Sequence, residues 1–419
     1  MRGPCRTAPR RLGAHRASLD SVRRQAYTQR FNSGCGFLPA ERQALSPESK
    51  RAFPHRMLAE ICEQPRALRE TVERSVENGR ISSAALGAIA PALAGCRRLI
   101  VAASGSSRNA GLAGEIQIED VSGLAVDVEY ASEYAYRSSG TSSETLVMVI
   151  SQSGESADAV AALREARRRG AATLGVTNVA ESTVAREASA ALLTRATPEL
   201  AVPATKSFTT QLAVLFLFAL RMAGERGRMD SAAVAAHLDH LAALPGHLEK
   251  RLESWSAESL AAARRLADSR TFLCVGRGVH YAIAREAALK LKEISYSHAE
   301  GYPAGELLHG PNALVGEKSV VVALATRDEA DADSVNRYER TLAVLEYVKA
   351  HRGHTLVIAS EGDRRAQALG DCSLSVPAAP ELLLPLLEIV PLQLFAYHFG
   401  VLHGCDVDHP RNLVKAVTT

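Results

Sequence analysis

Hydroxyl groups crowd the segment Ser151-Gln152-Ser153-Gly154-Glu155-Ser156, which directly follows the apolar run TLVMVI at 145–150. A nucleophilic serine on a strand-to-helix turn would need a glycine two residues to either side. Position 149 is Val, and Ser153 has Ser151 and Glu155 at those places, so no serine here reads as a nucleophile. A Ser/Gly loop entering a helix near Ala157 instead offers free backbone N–H groups, a positive helix end and several hydroxyl donors, a setting for phosphate. The plainer alternative is an N-cap by Ser153 or Ser156, which needs one hydroxyl rather than three. Ser104-Gly105-Ser106-Ser107 holds the same post-strand place one strand earlier. It is either the second half of one anion cradle or a polar turn.

The densest chemistry lies in ALKLKEISYSHAEGYPAGELLHGP, residues 288–311, with Lys290, Lys292, Glu293, His298, Glu300, Glu306 and His309. Lys290 and Glu293 are three apart and share one helical face. GYPAG reads as a loop that sets Glu306 and His309 at a site. Two His and three Glu are metal-binding types, but their spacing matches no short metal motif, and no metal is assigned. A glutamate base, a histidine acid/base and a lysine suit proton movement on a carbonyl sugar. In the closing segment DVDHPRNLVKAVTT, Lys415 sits on an apolar strip. It is either a solvated terminal lysine or one whose lowered pKa lets it form a Schiff base with a ketone. VGRGVHY at 275–281 lacks the last glycine of a dinucleotide fingerprint, and no P-loop motif occurs. His280 reads as a surface or loop histidine.

These segments need elements to position them. RLIVAAS (98–104), ETLVMVIS (144–151), ATLGVTN (172–178) and AALLTRA (190–196) read as strands, and helix-like stretches such as DAVAALREARRRG (158–170) alternate with them. That rhythm implies parallel sheets with helices on both faces. TFLCVGRG (271–278), SVVVALATRDE (319–329) and HTLVIAS (354–360) repeat the series. Pro198-Glu199-Leu200 recurs as Pro380-Glu381-Leu382, and Gln211-Leu212 recurs as Gln393-Leu394 at the same offset. A shared offset for two features indicates an internal duplication. The expected architecture is therefore α/β, with two similar flavodoxin-like domains at 84–235 and 255–404. A helical lead-in (57–83), a helical connector (236–254) and a C-terminal tail (405–419) complete it. Ligands of open α/β sheets sit beyond the carboxyl ends of the strands, which selects the loops after 104, 151 and 278.

Composition excludes several classes. The chain of 419 residues is 47% hydrophobic and 23% charged, with 5% aromatics and one Trp, which argues against a single-stranded nucleic-acid platform. Residues 1–50 hold nine Arg and Lys50 against Asp20, Glu41 and Glu48, a net +7, so the remaining residues carry −4. The basic balance thus belongs to an Arg-rich extension, residues 1–56, expected to be disordered, and not to a nucleic-acid surface. Seven scattered Cys without a C-x-x-C pair fit reduced thiols of a cytoplasmic protein. No apolar run of 18 uncharged residues occurs; LAVLFLFAL (212–220) reads as a core helix, and no membrane partner is assigned.

Taken together, MLAEICEQP (57–65), DVEYASEYAYR (127–137), SQSGESAD (151–158), ATKSFTTQL (204–212), LKLKEISYSHAE (289–300), GELLHGP (305–311) and DVDHPRNLVKAVT (406–418) resemble the SIS-domain family. The likeness is to the isomerase part of glutamine–fructose-6-phosphate aminotransferase, also called glucosamine-6-phosphate synthase, and runs from about Met57 to Thr419. It implies that Ser107, Ser151, Gln152, Ser153 and Ser156 hold the phosphate of an open-chain hexose or hexosamine 6-phosphate, with Ser106 nearby. Val202 would touch the sugar through its backbone. Glu293 would move the proton between C1 and C2, His309 would open the ring from the partner subunit, and Lys415 would form the imine. Lys290 would support proton transfer and Arg411 position the tail. A homodimer with a shared active site follows, and no cofactor is required. The segment ahead of Met57 is too short for the family's glutaminase domain, so ammonia would come free or from a separate glutaminase. Ser104, Ala204, His409 and Leu308 stand where the family usually has Cys, Ser, Gln and Lys. The activity implied is interconversion of fructose 6-phosphate plus ammonia with glucosamine 6-phosphate, in the synthase or deaminase direction. The rivals are a non-catalytic phosphosugar sensor and a deglycase or aldose–ketose isomerase of the same family.

Overall fold

The computed structural model describes residues 53–77, 80–82, 84–137 and 140–418. The Arg-rich extension up to residue 52, with Cys5 and Cys35, lies outside the described residues. Helices α1 (Arg56–Cys62) and α2 (Gln64–Ser75) lead in. The first sheet contains β1 (Arg98–Ala103), β2 (Ala125–Tyr130), β3 (Thr145–Ile150), β4 (Ala172–Thr177) and β5 (Ala190–Leu193). Its helices include α3 (Gly105–Ser122), α4 (Ala157–Arg168) and α5 (Lys206–Glu225). After α6 (Ser231–Arg265), the second sheet contains β6 (Thr271–Gly276), β7 (His298–Pro303), β8 (Ser319–Ala325), β9 (His354–Ser360) and β10 (Cys372–Val376). Its main helices are α7 (His280–Ser295), α8 (Ala332–Ala350) and α9 (Leu384–Leu402).

Both sheets are wholly parallel, and both follow one order: β2-β1-β3-β4-β5 and β7-β6-β8-β9-β10. This is the flavodoxin-like doubly wound order, in which the switch point falls between the first and third strands. Ala103 at the end of β1 lies beside Tyr130 of β2 and Ile150 of β3, so the loops after 103 and 150 open at that point. Every residue of β3 and β8 is buried, which is why these strands appear as unbroken apolar runs: helices cover both faces.

Two strands escape the apolar pattern. AVDVEY and HAEGYP form the edges β2 and β7. The expectation that GYPAG is a loop is therefore corrected, because Gly301, Tyr302 and Pro303 end β7. An edge tolerates a Pro and charged residues that a central strand would not. Helix α6 covers all of the connector expected at 236–254 and continues to Arg265, with Trp255 Nε1 donating to the Ser375 carbonyl at 2.7 Å.

Helices α5 and α9 form the shared centre. By length and composition Lys206–Glu225 and Glu381–Leu402 could cross a membrane, yet 89% and 94% of those windows is buried inside the fold. The lead-in joins both halves: Gln64 Nε2 donates to Gln393 Oε1 at 2.8 Å, and Lys206 Nζ lies 2.6 Å from Glu63. On the other side of α9, Gly400 lets α7 approach closely. A Cβ there would overlap Ile294 Cγ2 and lie 2.9 Å from the Ile294 carbonyl oxygen. Because a backbone oxygen cannot rotate away, Gly400→Ala should destabilise the protein by about 1–3 kcal/mol. Urea denaturation checks this; an unchanged midpoint would show that the two helices can separate freely.

Candidate functional site

At the switch point of the first sheet lies a crevice of about 350 Å³. Two helices aim their N-termini into it. Ser104 is the N-cap residue of α3 and Ser156 that of α4, both with extended backbone, and neither side chain caps its helix. Their first-turn N–H groups and dipoles favour an anion. Ser106, Ser107, Ser151, Gln152, Ser153 and Ser156 all line the crevice. The loop is held from within: Ser151 Oγ accepts from Gly154 N at 3.1 Å and donates to Ser156 Oγ at 3.3 Å. Ser107 Oγ accepts from Gln211 Nε2 at 3.0 Å.

The charged groups come from elsewhere in the chain. Glu293 of α7 lines the crevice, although α7 belongs to the second half. Beneath it Lys290 is fully buried, its Nζ 2.6 Å from Glu293, 3.3 Å from Glu286 and 3.2 Å from Ser106 Oγ. Burial pulls the Lys290 pKa down, but Glu293 and Glu286 outweigh it, and the pKa ends above the usual lysine value. Glu286 is also fully buried and accepts from Ser106 Oγ and Asn109 Nδ2, each at 2.8 Å. Burial raises its pKa, opposed by Lys290.

The tail forms the remaining wall, with residues 413–417 lining the crevice. The Val417 carbonyl accepts from Ala157 N at 3.0 Å, and the Asp408 carbonyl accepts from Val202 N at 2.9 Å. The Asp408 carboxylate in turn accepts from Arg56 N and Met57 N at the start of α1. The apolar setting expected for Lys415 is corrected: its Nζ lies 2.5 Å from Glu199 Oε2, while Val414 and Val417 are exposed. Burial pushes the Glu199 pKa up, yet the Lys415 ammonium and the hydroxyl of Ser207 hold it below the usual carboxylate range. Glu60, which accepts from Leu200 N at 2.5 Å, is raised to about 7 by burial and by the charge of Glu199.

Nine of the twelve residues selected from sequence therefore line the crevice, including Val202 and Lys415, and Lys290 lies just below. His309 and Arg411 do not line it. His309 follows the 3-10 turn Glu306–Leu308 and is exposed. Arg411 is exposed, its guanidinium 4.1 Å over the Tyr296 ring and its N–H donating to Tyr296 Oη at 3.0 Å. Sequence reasoning passed over Glu199, Glu286, Asn109 and Gln211. The repeated Pro-Glu-Leu and Gln-Leu pairs contained the signal for Glu199 and Gln211. Among the described residues no group of His, Cys, Asp or Glu is arranged to hold a metal ion.

The SIS domain pattern matches residues 92–221 and 265–402. The chain belongs to the SIS domain family. It is 43% identical over 378 residues to glutamine–fructose-6-phosphate aminotransferase [isomerizing] of Chlorobaculum tepidum, covering 90% of this chain and 60% of that protein. The chain thus spans about 60% of the length of this relative. Among solved structures, the C-terminal domain of glucosamine-fructose-6-phosphate aminotransferase from Francisella tularensis superposes with a TM-score of 0.81 at 34% identity, covering 86% of this chain and 99% of that one. Glucosamine-6-phosphate deaminase of Thermotoga maritima shares the fold, with a TM-score of 0.66 at 21% identity over 87% of this chain and 99% of that one. These relatives are named for sugar-phosphate aminotransferase and deaminase activities.

Gly154 makes the Ser151–Ser156 loop possible. Its φ is +67°, and a Cβ there would overlap Ser182 and lie 2.9 Å from Thr177 Oγ1. Gly154→Ala should cost about 1–3 kcal/mol of stability and displace the Ser151–Ser153 turn. Thermal unfolding alongside titration with glucosamine 6-phosphate would detect both; unaltered affinity would remove this loop from the binding site.

Proposed function

We propose that the protein interconverts fructose 6-phosphate plus ammonia with glucosamine 6-phosphate. The observation that carries this reading is the Lys290–Glu293 pair at 2.6 Å, presented to the same crevice as two uncapped helix N-termini and Lys415. In this account the phosphate takes the hydroxyls and N–H groups of Ser106, Ser107, Ser151, Gln152, Ser153 and Ser156. The open-chain sugar then extends past the Val202 backbone towards Glu293 and Lys415.

Lys415 must lose a proton to attack the C2 ketone, and Glu199 at 2.5 Å is within reach to accept it. Loss of water gives the imine, and ammonia displaces the lysine. Glu293 takes a proton from C1 and returns it at C2 while the C1 hydroxyl proton passes to the imine nitrogen, which converts the ketose-derived imine to the amino aldose. Lys290 orients Glu293, which holds the proton as the neutral acid between the two transfers. Run backwards, the same steps deaminate glucosamine 6-phosphate. The exposed position of His309 suits a ring-opening histidine delivered to the crevice of a second copy, with a homodimer as the unit. Ammonia would come free or from a separate glutaminase partner. A cytoplasmic location accompanies this reading, because the sugar phosphates it uses are charged intracellular metabolites.

Purified protein with glucosamine 6-phosphate should release ammonia and fructose 6-phosphate in equal amounts, with glutamine tested as a second nitrogen source. Binding without turnover in either direction would leave a phosphosugar sensor. Glu293→Gln should lower kcat by about 10²-fold or more while sugar-phosphate binding persists, as expected for loss of a general base. Ser151→Ala combined with Ser153→Ala should raise KM, and a change in kcat alone would remove those hydroxyls from phosphate binding.

A further inference from the structure

The second sheet has its own switch point, between the ends of β6 and β8, and side chains of the protein fill it. The loop Arg277-Gly278-Val279-His280 replaces the hydroxyls of the first half. Arg337 of α8 packs on Gly278, where a Cβ would lie 3.0 Å from its Cδ, and its Nε donates to Glu381 Oε1 at 2.9 Å. His280, expected at the surface, is instead 2% exposed, because it opens α7 at this point and faces inward. Its Nδ1 lies 2.8 Å from Glu388 Oε1 and its Nε2 3.4 Å from Glu381 Oε1. Glu388 is fully buried on α9 and also accepts from Thr326 Oγ1 at the end of β8. The network therefore fastens the start of α7 to α9 and to the second sheet.

Helix geometry relates this contact to the crevice in the other half. His280 and Ile294 are fourteen residues apart, four turns to within about 40°, and so lie near one face of α7. Both meet α9: His280 through Glu388, and Ile294 against Gly400. Glu286, Lys290 and Glu293, at i, i+4 and i+7, form a separate stripe turned towards the first domain. Fixing the first stripe sets the rotation of the helix and hence the direction of the second. A turn of about 10° would move a carboxylate about 6 Å from the axis by about 1 Å. Displacement of that size is enough to lower a rate by on the order of 10²-fold.

We propose that His280 is a positioning residue: its buried ion pairs with Glu388 and Glu381 fix the rotation of α7, and so hold Glu293 in the crevice of the other domain. Burial alone would lower the His280 pKa, but Glu388 and Glu381 outweigh it and raise it to about 9, so the imidazolium is the form that makes these contacts at neutral pH. The Ser151–Ser156 loop leads into α4 and does not depend on His280, whereas Ser106 and Asn109 of α3 bond to Glu286 of α7. The kinetic part of the proposal rests on the reading of Glu293 as the base, whereas the structural part does not.

The test uses the full chain with His280→Ala and Glu388→Ala, each first shown to unfold cooperatively. Both should lower kcat for glucosamine 6-phosphate by about tenfold to hundredfold and leave KM within about twofold. The double variant His280→Gln/Glu388→Gln replaces the ion pair with a neutral amide pair and should recover most of kcat. Amide hydrogen exchange should quicken across 284–294 in His280→Ala but remain unchanged across 157–168. A folded His280→Ala protein with unaltered kcat and unaltered exchange in α7 overturns the proposal, and so does a loss confined to KM. If the unmodified protein turns over nothing, the functional reading falls, and the exchange arm alone decides whether His280 positions the helix.

Discussion

A buried group of charges that crosses from one half of the molecule to the other governs the rest of the structure. Lys290 has no contact with solvent, and a lone ammonium there would be penalised by several kcal/mol. It is tolerated because Glu286 and Glu293 flank it on the same helix, while Ser106 and Asn109 of the first half complete the shell of Glu286. Such clusters contribute little net stability compared with apolar packing. What they supply is direction: any slip of α7 against α3 would leave Glu286 or Lys290 buried without partners. The same bonds that hold the halves in register therefore aim Glu293 at the crevice lined by the serine loops.

The tail is fixed by another principle. It has no periodic secondary structure, so it borrows bonds from elements already in place. The Val417 carbonyl takes the first N–H of α4, the Asp408 carbonyl takes the N–H of Val202, and the Asp408 carboxylate takes two N–H groups at the start of α1. Helix ends offer such unpaired donors, and an irregular strand can satisfy them without a ladder of its own. Lys415 is thereby carried to Glu199, which lies far earlier in the chain, while Val414 is 65% exposed.

What the sequence disclosed follows from these causes. Central strands buried on both faces appear as apolar runs, and the two sheets are legible from 145–150, 271–276 and 319–325. The edge strands β2 and β7 are not, since one free edge permits Asp, Glu and Pro where a buried strand would not. Lys290 and Glu293 are legible together because helical spacing is local. Glu199–Lys415 and His280–Glu388 are not, because neither partner has a near neighbour in sequence to announce it. The apolar residues flanking Lys415 suggest an apolar pocket, but Val414 and Val417 are exposed and Lys415 meets Glu199, and the glycine-rich loop before His280 suggests a surface that α9 covers. The internal repeat identifies Glu199 and Glu381 as equivalent without showing that each has acquired different partners.

That equivalence explains why two similar halves give one crevice with a mixed origin. Arg98 and Thr271 open the first strand of each half, and the interval between them equals that between Asp120 on α3 and Glu293 on α7. Because α3 and α7 follow corresponding strands and pack against each other, an acidic residue at this position on either helix faces the opposite half. Glu293 accordingly reaches the first crevice. Asp120 lies within the field of Arg337 and Glu381 at the second, its pKa raised by burial and by Glu381 against the pull of Arg337. In the first half the glutamate ahead of the buried helix meets a lysine from the irregular tail and leaves space for a ligand. In the second the same glutamate is taken up by Arg337 and His280, which close the space. With one of two equivalent crevices filled, α7 is held to α9 at its start while its carboxylate Glu293 lines the crevice of the other half.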